Sequence, residues 1–171
     1  MLNLESMAIE LPEVAHHPNR APFHGVLTLI DMPSDKPPAG ARGHRVILTR
    51  ASAEAALPSL LGMALDYSPT LDRHDSRRKV GVITRAEIVG RNLELSGYLF
   101  AKDFPEIVDE LRRAKRPGNT ALGMSYEIAD ARVADLRATI WTLTSVTFTG
   151  AAILRRDKAA YRTTWIALGD L

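Results

Sequence analysis

Between residues 80 and 100 apolar and polar positions alternate with the period of a β-strand. The alternation runs over Val80–Val89 and again over Leu93–Phe100, on either side of Gly90-Arg91-Asn92. Two such runs around a short glycine-containing break predict a hairpin. In the second run Leu93, Leu95 and Gly97 alternate with Glu94, Ser96 and Tyr98. The period then changes. Ile107, Val108, Leu111 and Ala114 fall on one face of a predicted helix. Asp103 is placed to cap its free N–H groups, Pro105 suits an early helical position, and Glu106 stands where a capping box puts its acid. Pro117-Gly118-Asn119 predicts the end of that helix.

Three further strands are predicted at Ala121–Ile128, Leu136–Leu143 and Ser145–Leu154, with a short helix at Arg155–Ala160. Upstream, Gly25–Ile30 and Arg45–Thr49 read as strands, separated by the loop-forming Pro33–Gly40. Ala51–Leu61 reads as a helix that Pro58 must end or kink. Residues 1–22 hold several prolines with no clear period and read as a loose N-terminal arm, and residues 161–171 read as a C-terminal tail. The pattern is mainly β with flanking helices (α+β), and a curled antiparallel sheet or barrel satisfies it.

Composition narrows this little. At 171 residues the chain favours one domain with a real core, and 46% hydrophobic with 25% charged residues is ordinary for a globular protein. No apolar run approaches the roughly 20 residues of a membrane span. Met1–Ser6 lack a basic region followed by an apolar stretch, so no secretory signal is expected. Cysteine is absent, which excludes disulfides and thiolate chemistry and suits a reducing cytoplasm. A net charge of +2 does not argue for nucleic acid. The basic runs Arg77-Arg78-Lys79 and Arg112–Arg116 read first as solvated faces.

The chemistry rests on His74, in Leu71-Asp72-Arg73-His74-Asp75, and Ser125, in Leu122-Gly123-Met124-Ser125-Tyr126-Glu127. A hydroxyl and an imidazole brought together suffice for acyl transfer: the ring takes the serine proton as the oxygen attacks a carbonyl. Each residue also has a plain reading, a strand serine bonded to backbone and an exposed loop histidine. Gly123 lets the backbone turn tightly or be approached closely. Four of the five histidines precede residue 45, but no pair stands at ligand spacing on a helix, so no metal is expected.

In order along the chain stand His74-Asp75, a basic stretch, Val80-Gly81-Val82-Ile83, a hairpin ending Gly97-Tyr98-Leu99-Phe100, a helix, Leu122–Glu127, Trp141–Phe148 and Gly150-Ala151-Ala152. This series resembles the phage prohead (capsid maturation) proteases, relatives of the herpesvirus assemblins. The resemblance spans about residues 24–160 and implies a protease-like domain over residues 23–160. It implies a serine endopeptidase without a cofactor, with Ser125 as nucleophile and His74 as general base. Assemblins use a second histidine after the serine, whereas this chain has no histidine after His74. Many phage members carry an acid in the late strand before a Val-Ser pair. Ser145 takes that place here, and Asp72, Asp75, Glu127 and Asp130 are the other candidates for the third member. Arg155 and Arg156 stand roughly where assemblins carry an arginine that stabilises the oxyanion.

The implied partners are capsid and scaffold proteins as substrates and further copies of the chain, inside the procapsid in the host cytoplasm. Neither a membrane nor nucleic acid is expected. Two readings compete with this one: a non-catalytic capsid-assembly or scaffold module on the same fold, and a nucleic-acid-associated protein using Arg112–Arg116.

Overall fold

The predicted central hairpin forms. In the computed structural model, which describes residues 5–114 and 121–169, β5 (Lys79–Val89) and β6 (Asn92–Leu99) pair antiparallel around Gly90. Gly90 takes the left-handed conformation the turn requires (φ 62°). The other strands are β1 (Ser6–Ala8), β2 (Ala21–Leu29), β3 (Arg45–Leu48), β4 (Ala64–Asp66), β7 (Leu122–Val133), β8 (Ile140–Arg155) and β9 (Trp165–Leu168). Helices α1 (Arg50–Ala56) and α2 (Pro105–Ala114) flank them.

All the strands belong to one sheet, ordered β3-β8-β4-β5-β6-β2-β9, with β1 beside β5 and β7 along β8. The sheet is mixed rather than purely antiparallel, because β3 and β4 both run parallel to β8. It curls until Met124 of β7 lies over Gly25 of β2. A Cβ on Gly25 would stand 2.8 Å from Met124 Cε and 2.2 Å from the Trp165 carbonyl, so the closure needs glycine there. Phe23, Ile83, Leu93, Leu95 and Phe148 fill the interior, and α2 buries Ile107, Val108 and Leu111 against it. Among the described residues no helix is long and apolar enough to cross a membrane.

Several predicted boundaries move. The strands predicted at 136–143 and 145–154 are one strand, β8, which begins only at Ile140 and is joined to β7 by a loop at 134–139. Thr144 and Ser145 are consecutive exposed residues that break the alternation. That break marks irregular pairing opposite Ala129–Val133, not a chain reversal. The segment 155–160 makes a single hydrogen-bonded turn, not a helix. The stretch read as a loose arm carries β1, paired with β5, and the start of β2; the stretch read as a tail carries β9, paired with β2.

Helix α1 is capped by Thr49, whose hydroxyl accepts from the Ser52 N–H at 3.2 Å. Pro58 ends it, and the chain tightens into a 3₁₀ turn at Leu57–Leu60. Helix α2 begins at Pro105, which puts Phe104 and not Asp103 at its cap position, and both acids of the expected capping box make other bonds. Asp103 accepts from Asn19 at 2.8 Å, and Glu106 accepts from the Tyr67 hydroxyl. The predicted stop at Pro117-Gly118-Asn119 lies outside the described residues.

Two expectations follow. A Cβ on Gly97 would lie 2.0 Å from the Val82 carbonyl, a backbone atom that cannot yield. Gly97→Ala should therefore cost about 1–3 kcal/mol of stability in urea denaturation. Burial, reinforced by Glu106, pushes the Tyr67 hydroxyl up to about 12. Burial pushes Tyr161 up to about 12 as well, and its hydroxyl donates to the Met32 and Val46 carbonyls. Both phenols are raised above the ordinary 10.0 in the folded chain. Their stabilising contribution is thus complete below that value and lost as pH climbs toward about 12. The urea midpoint should fall across that window, and fall less in Tyr161→Phe.

Candidate active site

Three strands meet where β8 is narrowest. Ser125 on β7 pairs with Ala152 on β8, and Ala152 pairs on its other side with Asp66 on β4. Directly paired residues point to the same side of a sheet, so Ser125 and Asp66 share a face across two inter-strand steps of about 4.8 Å each. Glu127 pairs with Gly150, and a Cβ on Gly150 would stand 3.1 Å from Glu127 Oε2. Glycine and alanine in the middle strand thus clear the floor between two acid-bearing strands.

His74 occupies that clearing. Its Nδ1 lies 3.8 Å from Asp66 Oδ1 and 3.8 Å from Glu127 Oε1, so the ring bridges over β8. The loop that delivers it is tightly tied. Leu71 adopts a left-handed conformation (φ 54°), and its carbonyl accepts from the Arg155 N–H at 2.7 Å. Asp72 accepts from Ser68 Oγ at 3.0 Å and Thr70 Oγ1 at 2.6 Å. Those hydroxyls hold the Asp72 carboxyl below the usual carboxylate range.

His74 and Ser125 line the same cleft, of about 810 Å³. Glu127, Asp72 and Arg73 surround them, and the cleft continues along β7 to an apolar end at Val133, Leu136 and Trp141. The two residues singled out in the sequence therefore open onto one cleft. Gly123 is explained differently from the expectation. It is approached by protein: a Cβ there would stand 2.5 Å from Thr164 Oγ1. That hydroxyl accepts the Met124 N–H at 3.2 Å and so fixes the strand immediately before Ser125.

The structure separates the candidates for the third member. Ser145 is exposed, pairs with Arg132 and lies roughly 23 Å along β8 from Ala152 at about 3.3 Å per residue. It does not reach His74. Asp75 pairs with Arg77 and Arg78, and its N–H donates to Asp66 at 3.0 Å. Asp72 is committed to its own loop, and Asp130 is exposed at an irregular part of β7. Of that group only Glu127 meets the imidazole. Asp66 meets it too and was missed. It is fully buried, with Oδ1 accepting the Asp75 N–H and Oδ2 facing Lys79 Nζ at 3.7 Å. A single carboxylate inside the apolar run Met63-Ala64-Leu65-Asp66-Tyr67 was its available signal, since a buried charge demands a partner.

The two arginines do not line the cleft. Arg155 is half-exposed and pairs with Asp157, and Arg156 Nε donates to the Thr164 carbonyl at 2.8 Å. Their backbones nonetheless brace the site, Arg155 through Leu71 and Arg156 through the Ala121 carbonyl.

No protein-family profile and no curated protein sequence matches this chain. Among solved structures it is similar to the protease of the herpesvirus KSHV, in a complex with a hexapeptide phosphonate inhibitor. The fold is similar to that of a herpesvirus protease. The TM-score is 0.55 at 14% identity, and the match covers 89% of this chain. The chain spans 66% of the length of that protease. The likeness is one of architecture: a curled, mainly β sheet with helices outside it.

The unequal placement of the polar groups sets expectations that reaction with a fluorophosphonate probe checks. Ser125→Ala should abolish labelling. Asp66→Asn should slow it by about 10²- to 10⁴-fold, the range for losing the group that orients a catalytic imidazole. Ser145→Ala should leave the rate unchanged.

Proposed function

We propose that the protein is a serine endopeptidase of phage capsid maturation. The observation that carries this reading is that His74 and Ser125 share one cleft, with Asp66 and Glu127 against Nδ1 of the imidazole. The order of motifs from His74 to Ala152 and the herpesvirus-protease type of fold support it.

In this reading Ser125 Oγ attacks the scissile carbonyl while His74 Nε2 takes its proton. The imidazolium so formed has two carboxylates at Nδ1 to meet its charge. The tetrahedral oxyanion is held by backbone N–H groups. His74 then gives the proton to the leaving amine, and water releases the acyl group by the same route. The cleft along β7 accepts an extended peptide of several residues. The substrates are scaffold protein, capsid-protein N-terminal segments and the chain itself. Copies of the chain associate within the procapsid, in the host cytoplasm, where high local concentration tolerates a slow enzyme.

The alternative is a capsid-assembly or scaffold module that keeps the fold without catalysis. Intact mass of wild type and Ser125→Ala, alone and with co-expressed scaffold and capsid proteins, separates the two. Fragments in wild type that vanish in Ser125→Ala are the expected outcome. Intact chains in both, with the native partners present, would favour the module.

A further inference from the structure

We propose that Asp66, His74 and Glu127 form a binding site for a divalent transition-metal ion of the Zn²⁺ class, and that the ion switches the cleft off. The regulatory half rests on the peptidase reading above; the site itself does not.

The donor set comes first. One imidazole nitrogen and two carboxylate oxygens, from β4, the loop after it and β7, lie within 4.8 Å of one another. That is a familiar set for zinc, which takes three protein ligands and a water at an open fourth position. The spacing fits as well. Nδ1 stands 3.8 Å from each carboxylate, too far for a hydrogen bond. A tetrahedron with arms of about 2.0–2.1 Å has edges of about 3.3 Å, so the two nitrogen–oxygen edges close by about 0.5 Å, and the oxygen–oxygen edge, within 4.8 Å, closes through the adjustable Glu127 side chain.

An independent observation points the same way. His74 Nδ1, the nitrogen between the two acids, is buried with no hydrogen-bond partner; of the fully buried Asp66, Oδ1 against the ring accepts only the Asp75 N–H and Oδ2 accepts no hydrogen bond. Unsatisfied buried polar atoms are rare in folded proteins and call for a ligand or a function. Lys79 is the charge facing Asp66 Oδ2, at 3.7 Å, on a side chain 43% exposed. It can swing its ammonium into solvent along its flexible stem. With a neutral imidazole, two carboxylates and one ammonium leave net negative charge at the centre, which favours a dication.

The consequence for His74 follows from its tautomers. A general base needs the lone pair on Nε2, with the proton on Nδ1. An ion on Nδ1 takes that nitrogen's lone pair and confines the ring proton to Nε2. Nε2, the base in the peptidase reading, then has nothing with which to accept a proton. The ion displaces the proton from Nδ1, the ring takes up a proton from solvent at Nε2, and a chelator reverses both steps to restore the active tautomer.

The test is a titration of Ser125→Ala and wild type with Zn²⁺ by calorimetry and with Co²⁺ by its visible absorption. One ion per chain is expected in both. Asp66→Asn, Glu127→Gln and His74→Ala should each weaken binding by about tenfold or more. Glu127 is partly exposed, so its variant remains informative if the buried Asp66→Asn fails to fold. Long-range ¹H–¹⁵N spectra of His74 should show the proton on Nε2 when the ion is bound. In wild type, probe labelling of Ser125 should fall with the same midpoint as binding and return with chelator. Absent saturable binding, binding unaffected by Glu127→Gln and His74→Ala, or a proton retained on Nδ1 would overturn the proposal. No labelling without any ion would instead refute the peptidase reading, and the titration and spectra would still decide the site.

Discussion

Strand β8 is the constraint on which the rest depends. It pairs with β3 near its start, with β4 near its end and with β7 along most of its length. A strand shared by so many neighbours has no free edge near the cleft, so its backbone cannot shift to suit a ligand. What it presents there is decided by side-chain size alone. Gly150 and Ala152 are small enough for the imidazole of His74 to pass above them toward carboxylates on both sides. A larger residue at either position would force the ring away from one acid or from both.

Burial then sets the two acids apart. Asp66 is enclosed and held by the Asp75 N–H, so its position is fixed when the chain folds. Glu127 is partly exposed at the cleft and is free to change rotamer. One imidazole thus has a rigid partner and an adjustable one. A rigid acid sets the ring's orientation. An adjustable acid lets the same site accommodate a proton, a positive charge or an ion at Nδ1.

The central hairpin and the α2 apolar face were legible because each is carried by a local pattern, and short motifs singled out His74 and Ser125, which line one cleft. Alternation marks β5 and β6. What stayed hidden depends on contacts distant in sequence. Strand β4 is three residues long, too short for any period to register, and Asp66 belongs to it. Strand β8 was read as two because Thr144 and Ser145 interrupt its alternation, and only its partner β7 shows that the interruption is an irregularity of pairing. Ser145 was assigned by position in a motif, yet pairing puts it opposite Arg132. Motif order located the neighbourhood of the site; registry between strands determined which acid belongs to it.

The tie between Thr164 and the strand before Ser125 bears on how the site comes into being. Thr164 binds the Met124 N–H and the Arg156 side chain, and it immediately precedes β9, which packs along β2. Every site residue leaves the ribosome before Thr164 does. A nascent chain can therefore carry Ser125, His74 and both acids without holding the serine strand in its final place. Synthesis itself supplies a delay: the cleft is assembled only after the last strand docks, so whatever it does begins late in the life of the chain.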